Sequence, residues 1–149
     1  MLRRFGFIAI IAVIAVGIFV FRDRLSSNAT ELQVGDCFDS PTALGQSVTD
    51  VQHHPCTETH TAEVFAVTKN PAPDSAVYPD LNGRRTFVSG VCAQPFIDYV
   101  GVSMDTTALD VRYFAPTEDG WKGGDRTFTC YVSHVDDSPF TATVKGTKQ

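Results

Sequence analysis

The sequence predicts an α+β fold: an N-terminal transmembrane helix, then a small, mainly antiparallel sheet with one packed helix and two disulfides. Three observations carry this expectation. Phe5 to Phe21 is an uninterrupted run of uncharged, mostly aliphatic residues, with Arg3 and Arg4 before it and Arg22 and Arg24 after it. Beyond it, short runs rich in Val, Phe and Thr alternate with Gly, Pro, Asn and Asp, the pattern of strands separated by turns. Four widely spaced cysteines, Cys37, Cys56, Cys92 and Cys130, all lie in that second part. With 149 residues in all, one modest domain is the ceiling.

Residues 1–4 form a short basic N-terminus, expected in the cytoplasm, and 5–21 the transmembrane helix. At about 1.5 Å per residue such a helix reaches roughly 25 Å, and snorkelling arginines at both ends close the gap to a ~30 Å hydrocarbon core. A cleavable signal peptide is the rival reading. Its apolar core normally spans only about 7–15 residues, and Arg22, Asp23 and Arg24 would stand between this run and the small residues Ser27, Asn28 and Ala29. An uncleaved anchor in the plasma membrane is therefore expected, crossing once, with the body outside the cytoplasm. No cysteine adjoins the apolar run, which argues against a lipidated N-terminus.

Residues 22–31 read as a polar linker, and 32–146 as the extracytoplasmic domain. Strands are expected at Leu32 to Phe38, Val48 to His53, Ala62 to Thr68, Leu109 to Ala115, Arg126 to His134 and Phe140 to Val144. In the fifth, Phe128, Cys130 and Val132 share one face and Thr127, Thr129 and Tyr131 the other. Between the third and fourth strands Phe87, Val88, Val91, Cys92, Phe96, Ile97 and Val100 recur at three- and four-residue spacings. Arg84 to Tyr99 is thus one helix with an apolar face, expected to bend or split at Gly90 and Pro95. Pro71, Pro73 and Pro79 mark the stretch before it as an extended loop.

An even number of cysteines in a body outside the cytoplasm points to two disulfides. Cys37 and Cys56 fall at or near the ends of the first two strands, and Cys92 lies on the inner face of the helix that covers Cys130. The expected pairs are Cys37 with Cys56 and Cys92 with Cys130.

Charge excludes one class of partner. The chain carries 12 basic and 17 acidic residues, against the basic face that nucleic acid requires. The imbalance is steeper in the body, so anionic lipid headgroups should not attract it either.

Candidate reaction centres are thin. His53, His54, Cys56 and His60 have spacings that suit zinc, but an extracytoplasmic Cys56 is more useful as half of a disulfide. On the plainer reading His53 and His54 are exposed at a strand end and His60 orients the turn before the strand that carries Glu63. No Gly-x-Ser-x-Gly elbow occurs, and His134 with Asp136 and Asp137 reads as a polar strand end followed by a turn. Gly120, Gly123 and Gly124 surround Trp121 and lead into a strand, which suits a hairpin connection rather than a phosphate cradle. No catalytic, metal-binding or cofactor-binding residue is assigned, and no enzyme activity is expected.

Several pieces in order carry a resemblance. They are Val34-Gly35-Asp36-Cys37-Phe38, Pro55-Cys56, His60, Ala62-Glu63-Val64-Phe65 and Cys92, then Tyr113-Phe114-Ala115-Pro116-Thr117, Trp121 and Gly124-Asp125-Arg126 leading to Cys130. Together they resemble the septum formation domain of actinobacterial membrane-associated proteins. The resemblance implies an extracytoplasmic module linked to septum formation, with no catalytic residues to carry over. The expected function is a non-enzymatic accessory protein that binds another envelope protein during growth or division. The alternative is a small accessory subunit whose helix packs into a larger respiratory or secretory membrane complex.

Overall fold

The structure, a computed structural model, describes residues 26–41 and 50–149. The transmembrane helix expected over 5–21 lies outside the described residues, and among those described no helix is long and apolar enough to cross a membrane. Six strands, β1 (Ser26–Asn28), β2 (Cys37–Phe38), β3 (Asp50–His54), β4 (Ala62–Lys69), β5 (Leu109–Phe114) and β6 (Thr127–His134), form one sheet. Helix α1 (Leu81–Val100) connects β4 to β5, and the short α2 (Glu118–Lys122) connects β5 to β6. The strand order is β1-β3-β2-β4-β6-β5, with every neighbouring pair antiparallel.

β4 and β6 form the centre because their Val, Phe, Ala, Cys and Tyr side chains can be buried on both faces. On one face Phe65, Phe128, Cys130 and Val132 meet Val88, Cys92, Phe96 and Val100 of α1. On the other, Phe38, Val51, Ala62, Val64 and Tyr131 form a smaller core with Ala29 and Leu32. The register slips between Val64 and Ala66, a bulge that lets Phe65 and Ala66 both join the core on the helix side.

α1 starts where Asp80 accepts a hydrogen bond from the Gly83 N–H, and ends at Gly101, whose φ of 93° only glycine adopts at no cost. It is one uninterrupted 20-residue helix, and neither Gly90 nor Pro95 splits it. The penalties are about 1 kcal/mol for glycine and about 3 for proline. They are outweighed by burial of Val88, Cys92, Phe96, Tyr99 and Val100 on both sides of the two residues.

The disulfides join Cys37 to Cys56, with Cα atoms 5.3 Å apart, and Cys92 to Cys130, at 6.3 Å. The second ties α1 to β6. With sequence separations of 19 and 38, chain entropy alone assigns them about 3 and about 4 kcal/mol.

Four sequence expectations need correction. Ser26–Asn28 are not linker; they pair with β3, Ser26 opposite Gln52. The first expected strand shrinks to Cys37–Phe38, because a turn through Val34 and Gly35, the latter at φ 95°, breaks the run. Phe140 to Val144 is not a strand but a single bridge, His60 to Phe140, followed by turns. The connection around Trp121 is helical, capped by Thr117, whose side chain accepts from the Gly120 N–H.

Candidate functional site

Among the described residues two buried polar centres stand out, one around Glu63 and one around Arg126. Glu63 sits in β4 directly opposite Cys37 of β2 and Val132 of β6, on the face covered by α1. Its side chain is fully buried. Desolvating a carboxylate costs several kcal/mol unless its oxygens find donors, and here three arrive from distant parts of the chain. Oε1 accepts from the Tyr99 hydroxyl at 2.6 Å and the Thr143 hydroxyl at 2.5 Å, and Oε2 from the Val144 backbone N–H at 2.8 Å. None of the three is a cation. Burial, and then the Glu63 carboxylate that accepts its proton, push the Tyr99 phenol well above its ordinary range.

This centre holds the C-terminal segment in place. Val144 is fully buried, the Gly146 N–H donates to the Tyr99 carbonyl, and the Lys148 N–H donates to the Val100 carbonyl. The segment past residue 139 therefore lies against the end of α1 instead of extending the sheet.

His60 borders Glu63 and is itself fully buried. Its Nδ1 lies 2.8 Å from the Glu58 carbonyl, which can only accept, so Nδ1 carries the proton. Nε2 is buried with no hydrogen-bond partner. The ring packs on Phe140 at 5.6 Å.

The second centre ties the proline-rich loop to β6. The Arg126 guanidinium donates to the carbonyls of Trp121 at 2.6 Å, Asp125 at 3.0 Å, Pro73 at 3.1 Å and Ala72 at 3.3 Å, and it stacks 3.8 Å over the Trp121 ring. Trp121 in turn donates its indole N–H to the Ala76 carbonyl at 2.7 Å and meets Tyr78 edge-on at 5.9 Å. Tyr78 donates its hydroxyl to the Pro116 carbonyl at 2.8 Å. A planar guanidinium with five donors suits such a set of carbonyls better than an ammonium would.

The remaining sequence candidates are dispersed. His53 and His54 are half-buried rather than exposed, and His54 Nε2 pairs with Asp39 at 2.9 Å. His53, His54, Cys56 and His60 do not form one zinc cluster: Cys56 is bonded to Cys37, and His54 is engaged by Asp39. His134 contacts the Ser138 carbonyl through Nδ1 at 2.7 Å, while Asp137 pairs with Arg112 at 2.7 Å. That is a strand end and its turn.

His60, Glu63, Trp121 and Arg126 are among the residues whose order gave the resemblance, and a comparison with known families agrees with it. The septum formation family model matches residues 34–149, most of the chain. The chain belongs to the septum formation family. The match runs past Cys130 to Gln149, which includes the segment that binds Glu63. No curated protein and no solved structure matches. In this septum formation domain the pieces that carried the resemblance have structural work. Gly35 donates its N–H to the Val64 carbonyl and Asp36 accepts from the Val64 N–H, which holds the first turn against the bulge of β4. Thr117 caps α2, and Arg126 closes the loop that precedes α1.

Sequence reasoning missed Glu63, Tyr99 and Arg126 as centres. A glutamate inside the apolar run Ala62 to Phe65 was the available signal for the first.

Proposed function

We propose that this septum formation protein is a non-enzymatic accessory module, anchored by residues 5–21, whose domain stands outside the cytoplasm and binds another envelope protein during division. The observation that carries the reading is the family match over residues 34–149. Two disulfides suit an oxidising compartment. Glu63, Tyr99 and Arg126, the strongest buried polar groups, are occupied in holding the fold, which suits a rigid binding module. The excess of acidic over basic residues favours a protein partner over nucleic acid.

Affinity purification of the tagged full chain from native membranes, with mass spectrometry, tests the partner, and imaging of the same tagged chain tests the place. Enrichment at division sites with division proteins recovered is the expected result. Uniform signal around the envelope, with none recovered, overturns the septal link.

A further inference from the structure

The Cys37–Cys56 disulfide closes over a corner already furnished with two metal-ligand groups. Cys37 Sγ, a ring nitrogen of His60 and a carboxylate oxygen of Glu63 all lie within 4.8 Å of one another, and all three residues are buried. His60 has the tautomer a metal needs. Its Nδ1–H is held by the Glu58 carbonyl, as in metal sites where the far nitrogen of a ligating histidine is fixed by a backbone acceptor. That leaves the lone pair of Nε2 inside the protein with no donor to meet it. A buried acceptor without a partner needs an explanation in a folded protein. Glu63 is likewise oriented by donors, Tyr99 and Thr143 on Oε1 and the Val144 N–H on Oε2, which a ligating carboxylate also requires.

The two disulfides differ in access. Cys92 and Cys130 are both fully buried, whereas Cys56 is half-buried although its partner Cys37 is sealed. A thiol reagent can reach Cys56 first.

From this arrangement we propose that reduction of Cys37–Cys56 turns the corner into a Zn²⁺ site: the Cys37 sulfur, His60 Nε2 and Glu63 already stand together, and the Cys56 thiolate, released from its bond to Cys37, turns in as the fourth ligand. The reductant is a dithiol. Its thiolate attacks Cys56 Sγ, Cys37 departs as a thiolate, and the second thiol of the reductant resolves the mixed disulfide. The reductant is oxidised to its own disulfide, and the protein takes up two electrons and two protons. Both protons leave to solvent when the sulfurs bind the cation. Two thiolates, one imidazole and one carboxylate around a tetrahedral ion suit zinc better than calcium or magnesium, which take oxygen ligands. In the oxidised protein the sulfurs are bonded to each other and the site does not exist.

Cobalt(II) tests the proposal, because it takes the zinc geometry and adds visible bands. The purified full chain in detergent is reduced anaerobically with a dithiol, freed of reagent, and its thiols located by alkylation and peptide mapping. The expected result is that Cys37 and Cys56 open while Cys92–Cys130 stays closed. The reduced protein then takes up one equivalent of Co²⁺ with tetrahedral bands and thiolate charge transfer, Zn²⁺ displaces it, and the oxidised protein shows neither. His60→Gln, checked for folding by circular dichroism, should weaken binding roughly tenfold or more. Should that variant fail to fold, Cys56→Ser in its place should lower the thiolate charge transfer. Absence of the bands with both thiols free overturns the proposal, as does unchanged affinity in folded His60→Gln. Bands that vanish in a Cys92→Ala/Cys130→Ala variant shown by circular dichroism to be folded would move the site to the other pair and overturn it equally.

Discussion

Glu63 is held by three donors and no cation, so any change at its oxygens leaves a buried group facing the wrong partner. Glu63→Gln turns an amide N–H₂ toward at least one of those donors and should cost about 1–3 kcal/mol, read as a lower midpoint in urea at an unchanged slope. Tyr99 gives a pH signature. An unfolded tyrosine ionises near 10, and in the fold burial and Glu63 hold the Tyr99 proton to higher pH. Its contribution is therefore complete below about pH 10 and drains away as pH climbs from there toward the folded value. Tyr99→Phe should flatten that alkaline loss of stability, measured as urea midpoints from about pH 8 to pH 11; an unchanged profile would assign the loss to other groups. At this scale the sequence was legible where chemistry is local. The alternation in Thr127–His134 and the inward position of Cys92 follow from period alone. The partners of Glu63 do not, because Thr143 and Val144 stand 80 and 81 positions away, and no local pattern records which oxygen they reach.

Elements were read well where burial is one-sided and less well where polar groups decide. α1 was legible from its apolar stripe, but its continuity through Gly90 and Pro95 depends on the sheet and the disulfide beneath it. Phe140 to Val144 has strand propensity, yet the Val144 N–H is taken by Glu63 instead of a ladder, and the segment turns. The proline-rich loop looked featureless because its anchor is a set of carbonyls, and a sequence does not show where carbonyls point. Arg126 supplies that anchor. Arg126→Lys keeps the charge, loses the fork and should lower stability by about 1–3 kcal/mol. It should also speed proteolytic cleavage between residues 71 and 80 several-fold relative to wild type under native conditions. Equal cleavage rates would show that the loop is held by Trp121 and Tyr78 without it.

For the whole molecule the sequence correctly indicated an antiparallel sheet, a packed helix and two disulfides, since these follow from strand periods and cysteine positions. The strand order did not follow, because β2 enters between β3 and β4 through only two residues. The proposed topology has a direct check. A reporter active only in the cytoplasm, fused after Gln149, should be silent, and one active only outside it should work; the reverse pattern would invert the orientation. If Phe5 to Phe21 is the anchor, the pairing of Ser26 with Gln52 fixes how far the domain can wander. Only Arg22 to Leu25 separate the apolar run from a hydrogen-bonded strand, a leash that even fully extended reaches about 14 Å. The β1 edge of the acidic domain is then kept within roughly one Debye length or two of the bilayer. A partner that engages this β1 edge would have to do so at the membrane surface.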